Sequence, residues 1–545
     1  MAPFFLPVPV WLDKIERQDP VLQQRLAGIY GNDRALIAER SALMARCLKT
    51  YRDRFASDQP VCIERVPAKL NVLGSHIDHR GAPTNAIAVN REIFFCFSKN
   101  ETPEITVCNA DPAYGERQVL IPPPSSSLRL NSNEEWLKHT QALVDRRKAG
   151  NTATDWEHKI AAVPEYLRRM LFPERPLRGF RAAVLGDIPV GCGLSSSSAL
   201  VVGVFDIMNA CNDLKISDQE LVLHAGLAEW YVGTRGGAGD HAGIKLSRRG
   251  RVTALKTVPD LSVHGSAVFP EQYRIVIFDS GIMADKTGNA RNTFNEKVAC
   301  YEFGELFLWE FVGRKTPGFV ERLLSERAHL VHAAKRICLA DAVHHLSRED
   351  VIAYLKGLPR AISRKELRER FAGDRDKVEA LFSTHLEPEK GYDLRAVMAF
   401  GVSEVERSEK TVSLLSQGDI RRFADFLNFS HDGDRVADIR PGVRARKDVE
   451  DAFLDSYEGP LSDLSGDYHC SHPDIDRMAG IALSAGALGA RIPGAGLGGS
   501  LIVLAEERKV EDIRAAMERG YYANRPQAPR LPPIIANPIE GAGVI

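Results

Sequence analysis

The 545 residues are 44% hydrophobic and 26% charged, an ordinary globular balance with length for two large domains or three small ones. Lysine plus arginine (71) almost cancels aspartate plus glutamate (72), so no field of one sign points to nucleic acid, an anionic membrane or a polycationic partner, and a small-molecule partner is expected. Nine scattered cysteines form no CxxC pair and no regular spacing, which argues against a disulfide framework or a zinc site; the proline-broken apolar N-terminus has no basic leader, no run nears the roughly 20 apolar residues of a membrane span, and a soluble, cytoplasmic chain is expected.

In chain order, Val21 to Arg54 has helical periodicity, and Pro60 to Asn71 turns strand-like before the polar segment Ser75-His76-Ile77-Asp78-His79-Arg80-Gly81. Ala86 to Phe97 predicts a second strand; Pro122 to Asn151 is loop-like, with a helix possible over Glu134 to Arg147. After Arg178 come a strand (GFRAAVLGDI), a glycine and serine turn (Pro189 to Ser198), helices over Ala199 to Cys211 and Asp218 to Tyr231, and a glycine-rich turn ending in Asp240. Tyr273 to Asp279 reads as a buried strand and Asn292 to Phe429 as largely helical. The last hundred residues give helix (Ile475 to Ala485), glycine loop (Pro493 to Ser500), strand (Leu501 to Ala505) and helix (Val510 to Arg519). There is no internal repeat, and the polar stretch VPDLSVHGS places a boundary near residue 260, giving domains 1–260 and 261–545.

The strongest chemical signal is Pro189-Val190-Gly191-Cys192-Gly193-Leu194-Ser195-Ser196-Ser197-Ser198-Ala199, a glycine-rich turn between strand and helix. Glycines let backbone approach an anion, and the first amides and the dipole of the helix favour it, which is phosphate-binding architecture. Serine hydroxyls at a helix start can cap it or ligate Mg²⁺, and four in a row exceed what capping needs. No Gly-Lys-Ser/Thr follows, so this is not a Walker loop, and Ser195 sits in no Gly-x-Ser-x-Gly elbow.

This segment resembles the second motif of the GHMP kinases (galacto-, homoserine, mevalonate and phosphomevalonate kinases), Pro-x-Gly-x-Gly-Leu-Ser-Ser-Ser. The run Val66-Pro67-Ala68-Lys69-Leu70-Asn71-Val72-Leu73-Gly74-Ser75-His76-Ile77-Asp78 is similar to the sugar-binding signature of galactokinases, Pro-Gly-Arg-Val-Asn-Leu-Ile-Gly-Glu-His-Thr-Asp. Lys69 stands for the arginine of that signature, Ser75 for the glutamate expected on the C6 hydroxyl, and Arg80 follows where asparagine is usual. Losing an acid and gaining a base suits a C6 carboxylate, as in a uronic acid, or a different sugar. His76 and Asp78 match hydroxyl binders; read without the family, His76-Ile77-Asp78-His79 is a metal cluster or a polar loop.

Tyr231 to Asp240 (YVGTRGGAGD) is similar to the family's Phe-Val-Gly-x-x-x-Gly-x-x-Asp. The resemblance makes Asp240 the catalytic base, Lys69 the stabilising cation, and Gly237 and Asp240 part of the acceptor site with Ser75, His76 and Asp78. It gives Gly191, Cys192, Gly193, Leu194, Ser195, Ser196 and Ser197 to ATP, and Ser197 with Glu229 to Mg²⁺. Without the other motifs, Asp240 is equally an aspartate closing a glycine turn. Pro493-Gly494-Ala495-Gly496-Leu497-Gly498-Gly499 satisfies the dinucleotide fingerprint literally, but that fingerprint needs a strand before and a helix after, whereas a strand is expected after this loop; it resembles the family's third motif. Asp279-Ser280-Gly281 with Asn289 to Glu296, including Phe294, is similar to a further galactokinase segment.

The resemblance implies an α/β (α+β) two-domain GHMP kinase fold with its active site in the inter-domain cleft. The implied activity is ATP- and Mg²⁺-dependent phosphorylation of galactose or a related monosaccharide at the anomeric C1 hydroxyl, by a monomer or small homo-oligomer. The alternatives are a uronic acid kinase such as a galacturonokinase, or a non-catalytic sugar sensor.

Overall fold

The computed structural model describes residues 4–56, 59–150, 155–233, 236–283, 288–327, 337–437, 449–525 and 531–545, with the side chains of 288–291 set aside. Asn151, Thr234 and Arg235, and the side chains of Asn289, Ala290 and Arg291, therefore lie outside the described residues although they fall in segments read above.

The larger sheet is built on β1 (Cys62–Leu73) and β2 (Thr84–Lys99), which run antiparallel along nearly their whole length. β3 (Glu104–Asn109), β4 (Glu116–Leu120), β5 (Phe180–Gly186), β6 (Arg251–Lys256) and β7 (Ser262–Val268) extend it. The smaller sheet has the order β11-β8-β10-β9, formed by β8 (Tyr273–Ile282), β9 (Gly489–Arg491), β10 (Gly499–Glu506) and β11 (Ile534–Ala536). Two short tail strands, β12 (Pro538–Ile539) and β13 (Gly543–Val544), return to the larger sheet and pair with β2 and β1.

The division expected at residue 260 cuts this larger sheet. The polarity of VPDLSVHGS places the boundary there, but β7 pairs with β6 as an edge strand, where polar residues face water at no cost. Residues 538–544 belong to the same sheet by hydrogen bonding, from the far end of the sequence.

β1 and β2 are buried almost throughout, because both faces of the sheet are covered. Alternate residues go to opposite faces: Val66, Ala68, Leu70, Phe95 and Phe97 pack under the helix Ser196–Asn212 (α1), while Ile63, Phe94 and Cys96 meet Trp11, Met44 and Leu48 of the N-terminal helices. The amphipathic stretch Val21 to Arg54 thus closes the second face. Further helices are α2 (Asp218–Ala228), α3 (Gly239–Leu246), α4 (Gly288–Lys315), α5 (Leu394–Gln417), α6 (Ile420–Asp434), α7 (Pro473–Ser484) and α8 (Val510–Gly520). α4 and α5 build a separate helical core into which Ile77 and Ala82 insert, both fully buried. Among the described residues no helix is long and apolar enough to cross a membrane.

α1 lies unusually close to the sheet at Gly203, where a Cβ would come within 2.5 Å of the Phe95 ring and 2.9 Å of Val66. Gly203→Ala is expected to destabilise the protein by about 1–3 kcal/mol through overpacking, read as a lower urea midpoint; an unchanged midpoint would show that helix and sheet part freely there.

Candidate active site

The glycine loop owes its shape to two left-handed residues, Gly191 at φ 81° and Gly193 at φ 74°, a region that strains any residue with a Cβ. Cys192 and Leu194 between them turn their side chains into the core, so the loop offers backbone to the site. The amides that open α1 have no partner within the helix, and the Lys69 amide donates to the Leu194 carbonyl at 3.4 Å, tying the loop to β1.

None of the four serines is used as a side-chain cap. Ser195 occupies the N-cap position in the left-handed region without capping, and its hydroxyl donates to Asp240 Oδ2 at 2.8 Å. Ser197 and Ser198 donate to the two oxygens of Glu229 at 2.5 and 2.9 Å. The two residues expected to take Mg²⁺ are therefore neighbours, although they lie 32 positions apart. Both offer hard oxygens of the kind that ion prefers, so the donor chemistry fits. His241, which the motifs gave no reason to single out, is buried with Nε2 3.2 Å from Glu229. Burial raises the Glu229 pKa, but the His241 contact and the Ser197 hydroxyl outweigh it and pull it down to about 2.

Asp240 lies in the first turn of α3, and its Oδ1 meets Lys69 Nζ at 2.7 Å. Lys69 is buried in β1, while the Asp240 side chain remains 47% exposed. Dense surroundings push its pKa up; the Lys69 charge and hydrogen bond and the Ser195 hydroxyl hold it well below the usual carboxylate range. Gly243, one turn along α3, leaves room for the lysine stem, since a Cβ there would sit 3.2 Å from Lys69 Cδ.

Asp78 approaches the same turn: a Cβ on Gly239 would lie 3.2 Å from its Oδ2, and one on Gly237 3.7 Å away. Its carboxylate also meets His79 Nδ1 at 2.9 Å, and this contact lowers its pKa against the upward push of burial. Asp78, Gly237, Lys69, Asp240 and Ser195 thus form one cluster.

His76 and Arg80 of the same segment turn to other partners. His76 stacks on Tyr468 at 4.0 Å and faces Asp434, so its ring and that of His79 have separate partners; among the described residues no group of three His, Cys, Asp or Glu side chains could hold a metal. Ser75 is buried with an unpartnered hydroxyl. Arg80, read above as a receiver for a sugar carboxylate, is fully buried and donates from Nη1 to Glu302 and Glu305 of α4 at 2.8 and 3.0 Å. The sequence pattern fixed the chain positions of these groups but held no sign of which way the loop would turn.

The third glycine loop joins antiparallel β9 and β10, which removes the strand-to-helix setting a dinucleotide site requires. It buttresses the first loop instead: the Ser500 hydroxyl donates to the Cys192 carbonyl at 2.9 Å, and a Cβ on Gly499 would lie 3.5 Å from the Cys192 backbone.

Residues 159–248 match the family model for the GHMP kinases N terminal domain and residues 455–523 that for the GHMP kinases C terminal domain. Over these two segments the chain is similar to the GHMP kinases. Among curated proteins it resembles galactokinases: it is 23% identical to the galactokinase of Saccharomyces cerevisiae over 85% of this chain and 86% of that protein. It is 21% identical to that of Schizosaccharomyces pombe over 90% and 92%. The crystal structure of Lactococcus lactis galactokinase complexed with galactose shares the fold, with a TM-score of 0.54 at 18% identity over 91% of this chain and 98% of that one.

Because the Glu229 pKa is depressed from 4.5 to about 2, its ionised contacts stabilise the fold fully above about pH 5 and are lost as pH falls toward 2. The stability difference between the protein and Glu229→Gln should therefore shrink by roughly 3 kcal/mol between pH 6 and pH 2, measured by chemical denaturation. A difference independent of pH would mean that Glu229 is not held as a carboxylate by these partners.

Proposed function

We propose that this protein is a sugar kinase that transfers the γ-phosphoryl group of Mg·ATP to a hydroxyl of galactose or a related neutral aldose, at the anomeric C1 position. The observation that carries the reading is the Lys69–Asp240 pair at 2.7 Å beside the glycine loop, with the Ser195 hydroxyl on the other carboxylate oxygen. The loop and the first amides of α1 would hold the ATP phosphates. Asp78 and the backbone at Gly237 would orient the acceptor, a carboxylate being able to receive two hydroxyl hydrogen bonds.

Asp240 would take the acceptor's hydroxyl proton as the oxygen–phosphorus bond forms and the β–γ bridging bond breaks, releasing ADP. A weak base suits this reaction, because a loose phosphoryl transition state leaves the hydroxyl proton in place until late. Lys69 would compensate the charge on the transferring group, and its movement toward that group would restore basicity to Asp240. Ser197 and Glu229 would hold Mg²⁺, which supplies neutralisation and alignment of the phosphate oxygens.

A neutral acceptor is favoured over a uronic acid because Arg80 is neutralised by two glutamates. The intact base and cation favour turnover over sensing alone. ADP release from Mg·ATP should be seen with galactose or another neutral aldose and not with galacturonate or glucuronate. Asp240→Asn should abolish it while ATP still binds, and Lys69→Ala should lower kcat by about 10²-fold or more. Sugar binding by calorimetry without ADP release would instead identify a sensor.

A further inference from the structure

The sugar-signature loop is gripped from behind by buried charge. Arg491 Nη1 donates to the Val72 carbonyl at 2.9 Å, and the Gly74 amide donates to Glu404 Oε1 at 2.8 Å. At the tip of the loop, His76 adopts φ 66°, a backbone region that non-glycine residues enter only when their surroundings hold them there. What holds it is a pocket of Phe400, Tyr468 and Asp434: the imidazole stacks on Tyr468 at 4.0 Å, and its Nε2 is 3.2 Å from Asp434 Oδ1.

Asp434, the last residue of α6, is fully buried, and neither carboxylate oxygen has a hydrogen-bond partner. A buried carboxylate is costly to keep unless a cation or donor lies against it, so the His76 ring is drawn to this one place. The same turn of chain also reaches the phosphate side. The Asp434 carbonyl accepts from the Ser471 amide at 2.7 Å, and the Cys470 carbonyl accepts from the Leu497 amide of the third glycine loop at 2.7 Å.

We propose that Asp434 is a positioning residue for the acceptor: by fixing His76 it sets the backbone from which Asp78 is presented, in register with the glycine loop that buttresses the phosphate site. This rests on the sugar-kinase reading. His76 then acts on the acceptor through the loop rather than by contact, as the direction of its ring requires. Asp434 acts through His76 in turn and touches no reacting atom.

The test is steady-state kinetics of Asp434→Asn, which keeps the shape of the side chain and removes its charge. The KM for the aldose should rise about tenfold while the KM for Mg·ATP stays within about twofold, and adding His76→Phe should cost little more, because both changes break one contact. Both KM values rising together, or neither changing, would overturn the proposal. If Asp434→Asn does not fold, His76→Phe, which keeps the stacking on Tyr468, must show the same split. If the unmodified protein turns over no sugar, the kinase reading fails, and hydrogen exchange decides the clamp separately: Asp434→Asn should speed exchange at the amides of residues 74–78 and leave those opening α1 unchanged, while uniform or absent change counts against it.

Discussion

The ion pair between Lys69 and Asp240 is a constraint that much of the site must satisfy. One partner is buried in the longest antiparallel pairing of the larger sheet, and the other stands in the first turn of a short helix reached only after α1 and α2 have been laid down. A 2.7 Å contact between groups 171 residues apart fixes the height of α3 against β1, and the bond from the Lys69 amide to Leu194 fixes the glycine loop at the same level. Asp240, Lys69 and the glycine loop share one register because they are tied to one strand.

Charge is handled differently in two parts of the molecule. Around Asp240 the carboxylate keeps contact with solvent, so its lysine partner can leave without stranding a charge in a dry interior. Around Arg80, Glu404, Arg491 and Asp434 the groups are sealed, and removing one partner there leaves another uncompensated. The first kind of pairing suits groups that move during a reaction, and the second suits groups that hold a loop still. Ile77 and Ala82, buried in the helical core, add apolar anchorage to the same loop.

Much of the site was legible in the sequence because its parts are contiguous: a glycine-rich turn, a serine run and an aspartate closing a second glycine turn each carry their chemistry within a dozen residues. The principal strands were legible from their apolar runs. β7 was not, because an edge strand with polar residues looks like a linker, and the tail strands are too short for any periodicity. The directions of His76 and Arg80 were hidden for another reason. A polar loop has no repeat that tells inside from outside, and the groups that capture these two, Asp434 and the Glu302–Glu305 pair, come from distant helices. The role of the helical stretch after residue 292 was equally invisible, since its amphipathic pattern records that it packs but not that a loop from the N-terminal half is what it packs around.

The tail strands carry a consequence for synthesis. β1 receives β13 as a neighbour, with Glu64 opposite Val544 and Arg65 opposite Gly543, and β2 receives β12. Strands that emerge early from the ribosome must therefore wait, with one edge open, while more than four hundred residues are added. Such long-range closure slows folding, and an open edge is a surface on which nascent chains join one another. The N-terminal helices, made first and packed across the face that bears Ile63 and Phe94, cover the apolar side of the sheet during that interval, leaving only its edge to be protected.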